Sequence, residues 1–276
     1  MADLTASTAY EWTADDAARH IAIPGEHDDK YSRGVLGLIT GSEQYPGAAV
    51  LGVEAALHTG VGMVRYLGPA RATELVLQRR PEAVTANGRV EAWVLGSGMD
   101  PIGRDLASMT EALEQAVPVV LDGGALDLHD RANGPVVITP HLGELARLVG
   151  VERTAIDADP ATWARRTADD LGVTVLLKGH TTHVAGPDVF LSVRAAPTWL
   201  ATAGAGDALA GILGALVATH SNQIRDDPAL VARLAATASL IHGLAASRAS
   251  AGGPLTILAL VAALPATIAE LLKARA

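Results

Sequence analysis

Val35-Leu36-Gly37-Leu38-Ile39-Thr40 runs into the loop Gly41-Ser42-Glu43-Gln44-Tyr45-Pro46-Gly47, then Ala48–Thr59, Gly60 and Val61-Gly62-Met63-Val64-Arg65-Tyr66-Leu67. The first segment is apolar on both faces, as a strand covered from both sides must be. The stretch from Ala48 is rich in small residues and reads as a helix stopped by Gly60. The last segment reads as a second strand. A strand, a helix and a strand in this order make a parallel crossover unit.

The same alternation extends outward in both directions. Upstream, a short helix is expected at Ala14–His20 and an irregular lead-in over residues 1–30. Downstream, strands are expected at Glu91–Leu95, Pro118–Asp122, Val136–Ile138 and Val173–Leu177. Helices are expected at Arg71–Arg80, Pro101–Gln115, Leu142–Val149 and Pro160–Asp170, with a short one at Ala125–His129. Thr181–Ala185 and Val189–Val193 read as a hairpin over Gly186-Pro187-Asp188. Two long helical stretches, Pro228–Ala249 and Thr256–Ala274, follow. The pattern is that of an α/β protein with a mainly parallel sheet covered by helices on both faces. No linker, repeat or low-complexity segment divides the chain, so 1–276 is read as one domain.

In such sheets ligands bind beyond the carboxyl ends of the strands. Unusual loops follow several strands here: Gly41-Ser42, Gly96-Ser97-Gly98, Asp122-Gly123-Gly124, Thr139-Pro140-His141 and Lys178-Gly179-His180. They should share a rim with Thr202-Ala203-Gly204-Ala205-Gly206-Asp207, a glycine-rich turn feeding an apolar helix. The glycines allow positive φ and a close approach of the backbone. The first helical turn offers free N–H groups and the positive dipole end, a seat for phosphate. The same dipole should favour an ionised Asp207, the form a general base needs. The alternative is a plain glycine-rich turn capped by an aspartate, and spacing alone does not separate the two.

Composition excludes other classes. The formal charge is −9, against a nucleic-acid binder with its basic face. There is no cysteine, hence no disulfide or thiolate chemistry. Aromatics are only 3%, so the core must be Ala, Val and Leu, with helices close to strands. The acidic N-terminus lacks an apolar signal core, and residues 203–219 are too short and glycine-rich to span a membrane. A cytoplasmic protein is expected. Three lysines stand against eighteen arginines, which draws attention to Lys178.

Thr139-Pro140-His141-Leu142-Gly143-Glu144, Leu176-Leu177-Lys178-Gly179, Ala203-Gly204-Ala205-Gly206-Asp207-Ala208-Leu209-Ala210-Gly211 and Gly47-Ala48 occur in an order and spacing that resemble the ADP-dependent NAD(P)H-hydrate dehydratases of the ribokinase-like superfamily. The resemblance runs from about Lys30 to the C-terminus. It implies a ribokinase-like three-layer sandwich and a repair reaction. In that reaction the S form of hydrated NADH or NADPH, with a hydroxyl at C6, returns to NAD(P)H as ADP becomes AMP and phosphate. ADP, or ATP in its place, and Mg2+ are the implied co-substrate and cofactor. Asp207 is the implied base on the C6 hydroxyl. Lys178, Gly179, His180, Thr181 and Thr182, with Thr202, Ala203, Gly204, Ala205 and Gly206, would hold the nucleotide. Gly47, Ala48, Gly96, Gly98, His141 and Asp207 would line the hydrated-dinucleotide site. No nucleic-acid or membrane partner is implied. The apolar C-terminal helices are compatible with a homo-oligomer, a tetramer among the options.

The chain departs from the family's pattern in places. A Gly-Pro-Gly-Leu-Gly-like loop is Gly96-Ser97-Gly98-Met99-Asp100 here. Asp-Ala-Asp-Ala-Leu is Asp122-Gly123-Gly124-Ala125-Leu126, without its second carboxylate. Gly-Met-Ala is Trp199-Leu200-Ala201. The epimerase domain that some relatives carry is expected to be absent, given some thirty residues before the first strand.

Bland readings stand beside the sharp ones. Glu144 reads as a first-turn carboxylate that stabilises its helix. Asp122 reads equally as a contact to metal-bound water or a turn cap. His180 and His183 lack a third clustered ligand for a metal. Gly47 and Ala48 suit close helix–sheet packing nearly as well as substrate contact. Two competing functions share the glycine loop: a vitamin-precursor kinase of the hydroxyethylthiazole kinase type, and a nucleotide-binding regulator without turnover.

Overall fold

The computed structural model describes residues 8–275. The first half runs β1 (Tyr10–Glu11), α1 (Ala14–Arg19), β2 (Val35–Ile39), α2 (Pro46–Thr59), β3 (Met63–Tyr66), α3 (Ala70–Arg79), β4 (Ala92–Leu95), α4 (Leu106–Leu113), β5 (Val119–Leu121), a 3-10 segment (Gly123–Arg131) and β6 (Val136–Ile138). The second half runs α5 (Leu142–Val149), α6 (Arg153–Ala158), α7 (Pro160–Leu171), β7 (Thr174–Leu177), β8 (Thr182–Gly186), β9 (Val189–Val193), α8 (Ala205–Thr219), α9 (Ser221–Asp226), α10 (Leu230–Ser250) and α11 (Ile257–Arg275).

The strands form one sheet in the order β1-β9-β8-β7-β6-β5-β4-β2-β3. From β3 to β7 every pairing is parallel, and β8 is antiparallel to both its neighbours. Side-chain alternation assigns each strand residue to a layer. Leu36, Leu38, Val94, Val120, Val137 and Leu176 pack with α1, α2, α3, α8, α10 and α11. Val35, Ile39, Leu95, Leu121, Ile138 and Leu177 pack with α4 to α7 and the 3-10 segment. The expected three layers are thus present.

Scarce aromatics do force close packing. A Cβ added at Gly211 of α8 would lie 2.2 Å from the Gly52 carbonyl oxygen of α2. Only a residue without a side chain allows that approach, and it fixes α8 against α2. Gly211→Ala should therefore cost about 1–3 kcal/mol, the usual range for overpacking. Urea denaturation reads it as a lower midpoint; an unchanged midpoint would mean that the two helices are not so close.

Three expectations need correction, and one helix invites a misreading. The irregular lead-in contains β1, which pairs in parallel with β9 through Tyr10 and Leu191. A two-residue strand has no periodicity to read. The helix expected from Pro101 starts only at Leu106, where Asp105 caps it by accepting from the Ser108 N–H. Residues 100–105 instead form a loop whose Ile102 is 93% exposed. The short helices α6 and α9 fell between stronger signals. Finally, α10 is long and apolar enough to cross a membrane by length and composition, but 83% of its most apolar window is buried within the protein. It is a core helix.

The chain steps from β2 outward to β3, then returns to the other side of β2 as β4. This switch point opens a crevice at the carboxyl ends of the strands. A cavity of about 910 Å³ lies there, lined by the loops after β2, β3 and β4.

Candidate active site

The rim loops converge as expected. β5 ends at Asp122, which is buried. Its Oδ1 accepts from Lys178 Nζ at 2.8 Å and from Thr139 Oγ1 at 2.7 Å; its Oδ2 accepts from Ser97 Oγ at 2.9 Å. Four strand ends, those of β4, β5, β6 and β7, are thereby tied through one carboxylate. The Lys178 backbone N–H also donates to the Pro140 carbonyl at 2.8 Å, which extends the β6–β7 pairing to His141. Asp122 is thus neither a free carboxylate nor a side-chain cap for the segment it precedes.

Lys178 points towards the glycine turn. A Cβ added at Gly206 would sit 3.4 Å from Lys178 Nζ. Gly204 precedes α8 with φ +91°, a left-handed conformation that suits glycine. No side chain caps α8, and of its first-turn N–H groups only that of Ala205 is taken, by the Thr202 carbonyl, so those of Gly206 and Asp207 are left for another acceptor. Asp207 sits in that first turn.

Electrostatics follow from this packing. Burial acts against the Lys178 ammonium, but Asp122 and Glu144 outweigh it and hold the pKa above the usual lysine range. The Glu144 carboxylate lies 3.7 Å from Nζ. Burial also acts against the Asp122 carboxylate, yet Lys178 and the two hydroxyls keep it below the usual range. Asp207 differs. Burial first, and the Asp122 charge second, push it up to about 6, with Lys178 opposing. The helix dipole was expected to favour ionisation. Desolvation is the larger effect, and it leaves a carboxyl that titrates near neutrality.

His141 caps α5: its Nδ1 accepts from the Gly143 and Glu144 N–H groups, while Glu144 accepts from the His141 N–H. This reciprocal box explains the Thr-Pro-His-x-Gly-Glu spacing mechanically. The His141 side chain is about half exposed; its partial burial, with the Lys178 charge, lowers its pKa against the opposing Glu144. Gly98 packs on α2: a Cβ there would come 2.2 Å from the Ala48 Cβ. Ala48 and Gly98 are therefore neighbours, while Gly47 faces open space. Gly96 packs against the Asp122 carbonyl and Ala125.

Other expected residues spread further. Gly179 and His180 form the exposed turn after β7. Thr181 Oγ1 accepts from Arg194 Nε at 2.9 Å. Thr182 is buried inside β8 and pairs with Val193, so it belongs to the strand as well as to the loop. Thr202 and Ala203 are exposed on the approach to α8, and the Thr202 carbonyl accepts from Ala205 N–H. His183 stacks on Phe190, away from His180's exposed turn. Among the described residues no three His, Asp or Glu side chains cluster to hold a metal ion.

Sequence reading missed four participants. Ser97 and Thr139 lie inside quoted motifs, but only the fold turns their hydroxyls onto Asp122. Arg104 forms a two-pronged ion pair with Asp127 and donates to the Gly124 carbonyl, pinning the 96–105 loop. His242 on α10 is buried near the Ala205 backbone, and its Nε2 has no hydrogen-bond partner; burial lowers its pKa to about 4. Nothing local in the sequence marks Arg104 or His242.

The family model Carb_kinase, described as NAD(P)H-hydrate dehydratase, matches residues 36–263. The chain belongs to the NAD(P)H-hydrate dehydratase family. A bifunctional NAD(P)H-hydrate repair enzyme Nnr of Mycobacterium leprae is 43% identical over 230 residues, 78% of this chain and 47% of its own length. The chain thus spans about half the length of such relatives. An ADP-dependent (S)-NAD(P)H-hydrate dehydratase of Xanthomonas campestris is 35% identical over 226 residues, 73% of this chain and 78% of its own. The crystal structure of the ADP/ATP-dependent NAD(P)H-hydrate dehydratase of Bacillus subtilis, co-crystallised with ATP/Mg2+, superposes with a TM-score of 0.86 at 26% identity, covering 96% of this chain and 100% of that one. The ribokinase-like fold of this dehydratase family is therefore the fold of this chain. One departure from the family's pattern now has a physical reason. A Cβ at Gly124 would lie 2.5 Å from the Met99 carbonyl oxygen, so the loop after β4 leaves no room for a second aspartate.

Proposed function

We propose that this chain restores the S form of hydrated NADH or NADPH to the reduced dinucleotide, consuming ADP and releasing AMP and phosphate. The observation that carries the reading is Asp207 in the uncapped first turn of α8, with the Lys178 ammonium against the same turn.

On this reading the nucleotide's terminal phosphate sits at the first-turn N–H groups and near Lys178. The turns 178–182 and 202–206 hold the rest of the nucleotide. Ala48, Gly98 and His141 face the hydrated nicotinamide. Asp207 accepts the C6 hydroxyl proton as the oxygen attacks the β-phosphorus, and AMP departs. Phosphate is a better leaving group than hydroxide. It leaves C6 with the C6–O bond electrons, the ring nitrogen supplies electrons to form an iminium, and transfer of a C5 proton to water restores the C5–C6 double bond. The chain's own contribution is position and fixed charge, which phosphoryl transfer mainly needs. Magnesium would come with the nucleotide and offset the charge of its phosphates. Cytoplasmic work by a homo-oligomer completes the proposal.

The test supplies hydrated NADH with ADP and follows the absorbance of the restored dihydronicotinamide. ADP-dependent recovery with matching AMP and phosphate is expected. No recovery with ADP or ATP, alongside phosphorylation of a thiazole alcohol, would overturn the reading in favour of a vitamin-precursor kinase.

A further inference from the structure

We propose that Asp122 is the positioning residue of this site: it fixes the Lys178 ammonium under the Gly204–Gly206 turn and ties that lysine to the Ser97 loop. The inference rests on the proposed function for its kinetic readouts, but not for its binding readout.

The geometry leaves Lys178 few alternatives. Its stem leaves β7 and its Nζ is held at 2.8 Å by Asp122, with Glu144 farther off at 3.7 Å. Asp122 in turn has no freedom, because Thr139 and Ser97 hold its two oxygens at 2.7 and 2.9 Å. A buried carboxylate with both oxygens engaged is a rigid anchor, and the cation it holds keeps one place. That place is against Gly206, beside the N–H groups that would receive phosphate. Were Asp122 neutral, Lys178 would swing towards Glu144 and away from the turn.

The second arm reaches the other side of the site. Ser97 Oγ donates to Asp122, and the Ser97 carbonyl accepts from the Gly41 N–H at 2.7 Å. Ser97 lies between Gly96 and Gly98, the latter against Ala48. One carboxylate therefore sets the register between the nucleotide lysine and the loop facing the dinucleotide. Its charge also acts on the base. Asp207 faces Asp122 from the end of β5 and Lys178 from the end of β7. Lys178 in turn faces Glu144 and His141 from α5 and His242 from α10. Of these groups Asp122 is the one whose negative charge makes Asp207 harder to ionise.

The test is Asp122→Asn in the full chain, which keeps size and one acceptor oxygen but removes the charge. Calorimetry with ADP should show at least tenfold weaker binding. In turnover, the ADP KM should rise by a similar factor, and the acid limb of kcat/KM should move to lower pH, because losing the Asp122 charge outweighs any withdrawal of Lys178 from Asp207. An unchanged ADP affinity together with an unmoved acid limb overturns the inference. If the wild-type chain shows no hydrate turnover, the functional reading fails while the ADP titration still decides the role of Asp122. Should Asp122→Asn not fold, Ser97→Ala takes over. A severalfold rise in the hydrated-dinucleotide KM, with melting temperature and ADP affinity kept, supports the link. An unchanged KM removes it.

Discussion

Asp207→Asn should lower turnover by about 10²–10⁴-fold, the usual contribution of a positioned general base. ADP binding should survive, because the first-turn N–H groups of α8 and Lys178 do not depend on the carboxyl. The wild-type rate should rise with pH through about 6, since the proton-bearing form of Asp207 is inactive and its pKa is raised to about 6. The stability prediction has the opposite sign. An unfolded aspartate titrates near 3.9, so between about pH 4 and 6 the native state binds more protons than the unfolded one. Stability contributed by this group therefore falls as pH rises through that window and stays lower above it. Two pKa units correspond to at most about 2.7 kcal/mol, and partial solvent access reduces this to about 1–2 kcal/mol. Asparagine lifts that cost. At pH 8 the variant should melt about 2–4 °C higher than wild type, and near pH 4 the gap should close. Calorimetric scans at the two pH values check it. A variant that turns over normally, or whose melting-temperature gap to wild type is the same at both pH values, would remove Asp207 from the chemistry or from its desolvated position.

Asp207 also shows where sequence reading stops. The strand–helix alternation from Val35 onward was legible because a doubly covered parallel sheet needs continuous apolar strands and small-residue helices. The rim was legible because glycine, proline and histidine interrupt those strands at their ends. In Thr139-Pro140-His141-Leu142-Gly143-Glu144 the first-turn place of Glu144 was legible, while the reciprocal capping box with His141 came only with the structure. What was not legible is through-space. Asp122 and Lys178 are 56 positions apart, and their ion pair exists only because β5, β6 and β7 lie side by side. The dipole at Asp207 could be read from its place in the helix, but the desolvation that outweighs it depends on what α2, β5 and β7 pack around it. Arg104 looked like one of eighteen arginines until the loop after β4 folded onto Asp127. Short elements such as β1, α6 and α9 carry too few residues for any period to show, and tertiary contacts alone specify them.

Lys178→Met should be the most disruptive single change near the site. It removes the countercharge of a buried carboxylate, leaving Asp122 with two hydroxyl donors and no cation. Breaking a buried ion pair in this way costs about 3–5 kcal/mol, because the remaining charge is neither solvated nor paired. The loss should depend on pH with a definite sign. With Lys178 present, Asp122 sits below its ordinary range, so its contribution to stability is complete at neutral pH and fades as pH falls towards and below that range. Without the lysine, burial dominates and Asp122 is pushed up. The variant should then become more stable as pH falls from 7 to 4, reversing the wild-type trend. Pairing Lys178→Met with Asp122→Asn removes both charges and should recover most of the lost stability, since no buried charge is left uncompensated. ADP binding should not recover, because neither variant restores a cation at the glycine turn. Urea denaturation of the two single variants and the double variant at pH 7 supplies the coupling energy, and ADP titration of the double variant supplies the binding arm. If the double variant is no more stable than Lys178→Met alone, Asp122 is not the charge left stranded. If it binds ADP like wild type, the Lys178 ammonium plays no part in holding phosphate, and the site must be built from backbone N–H groups alone.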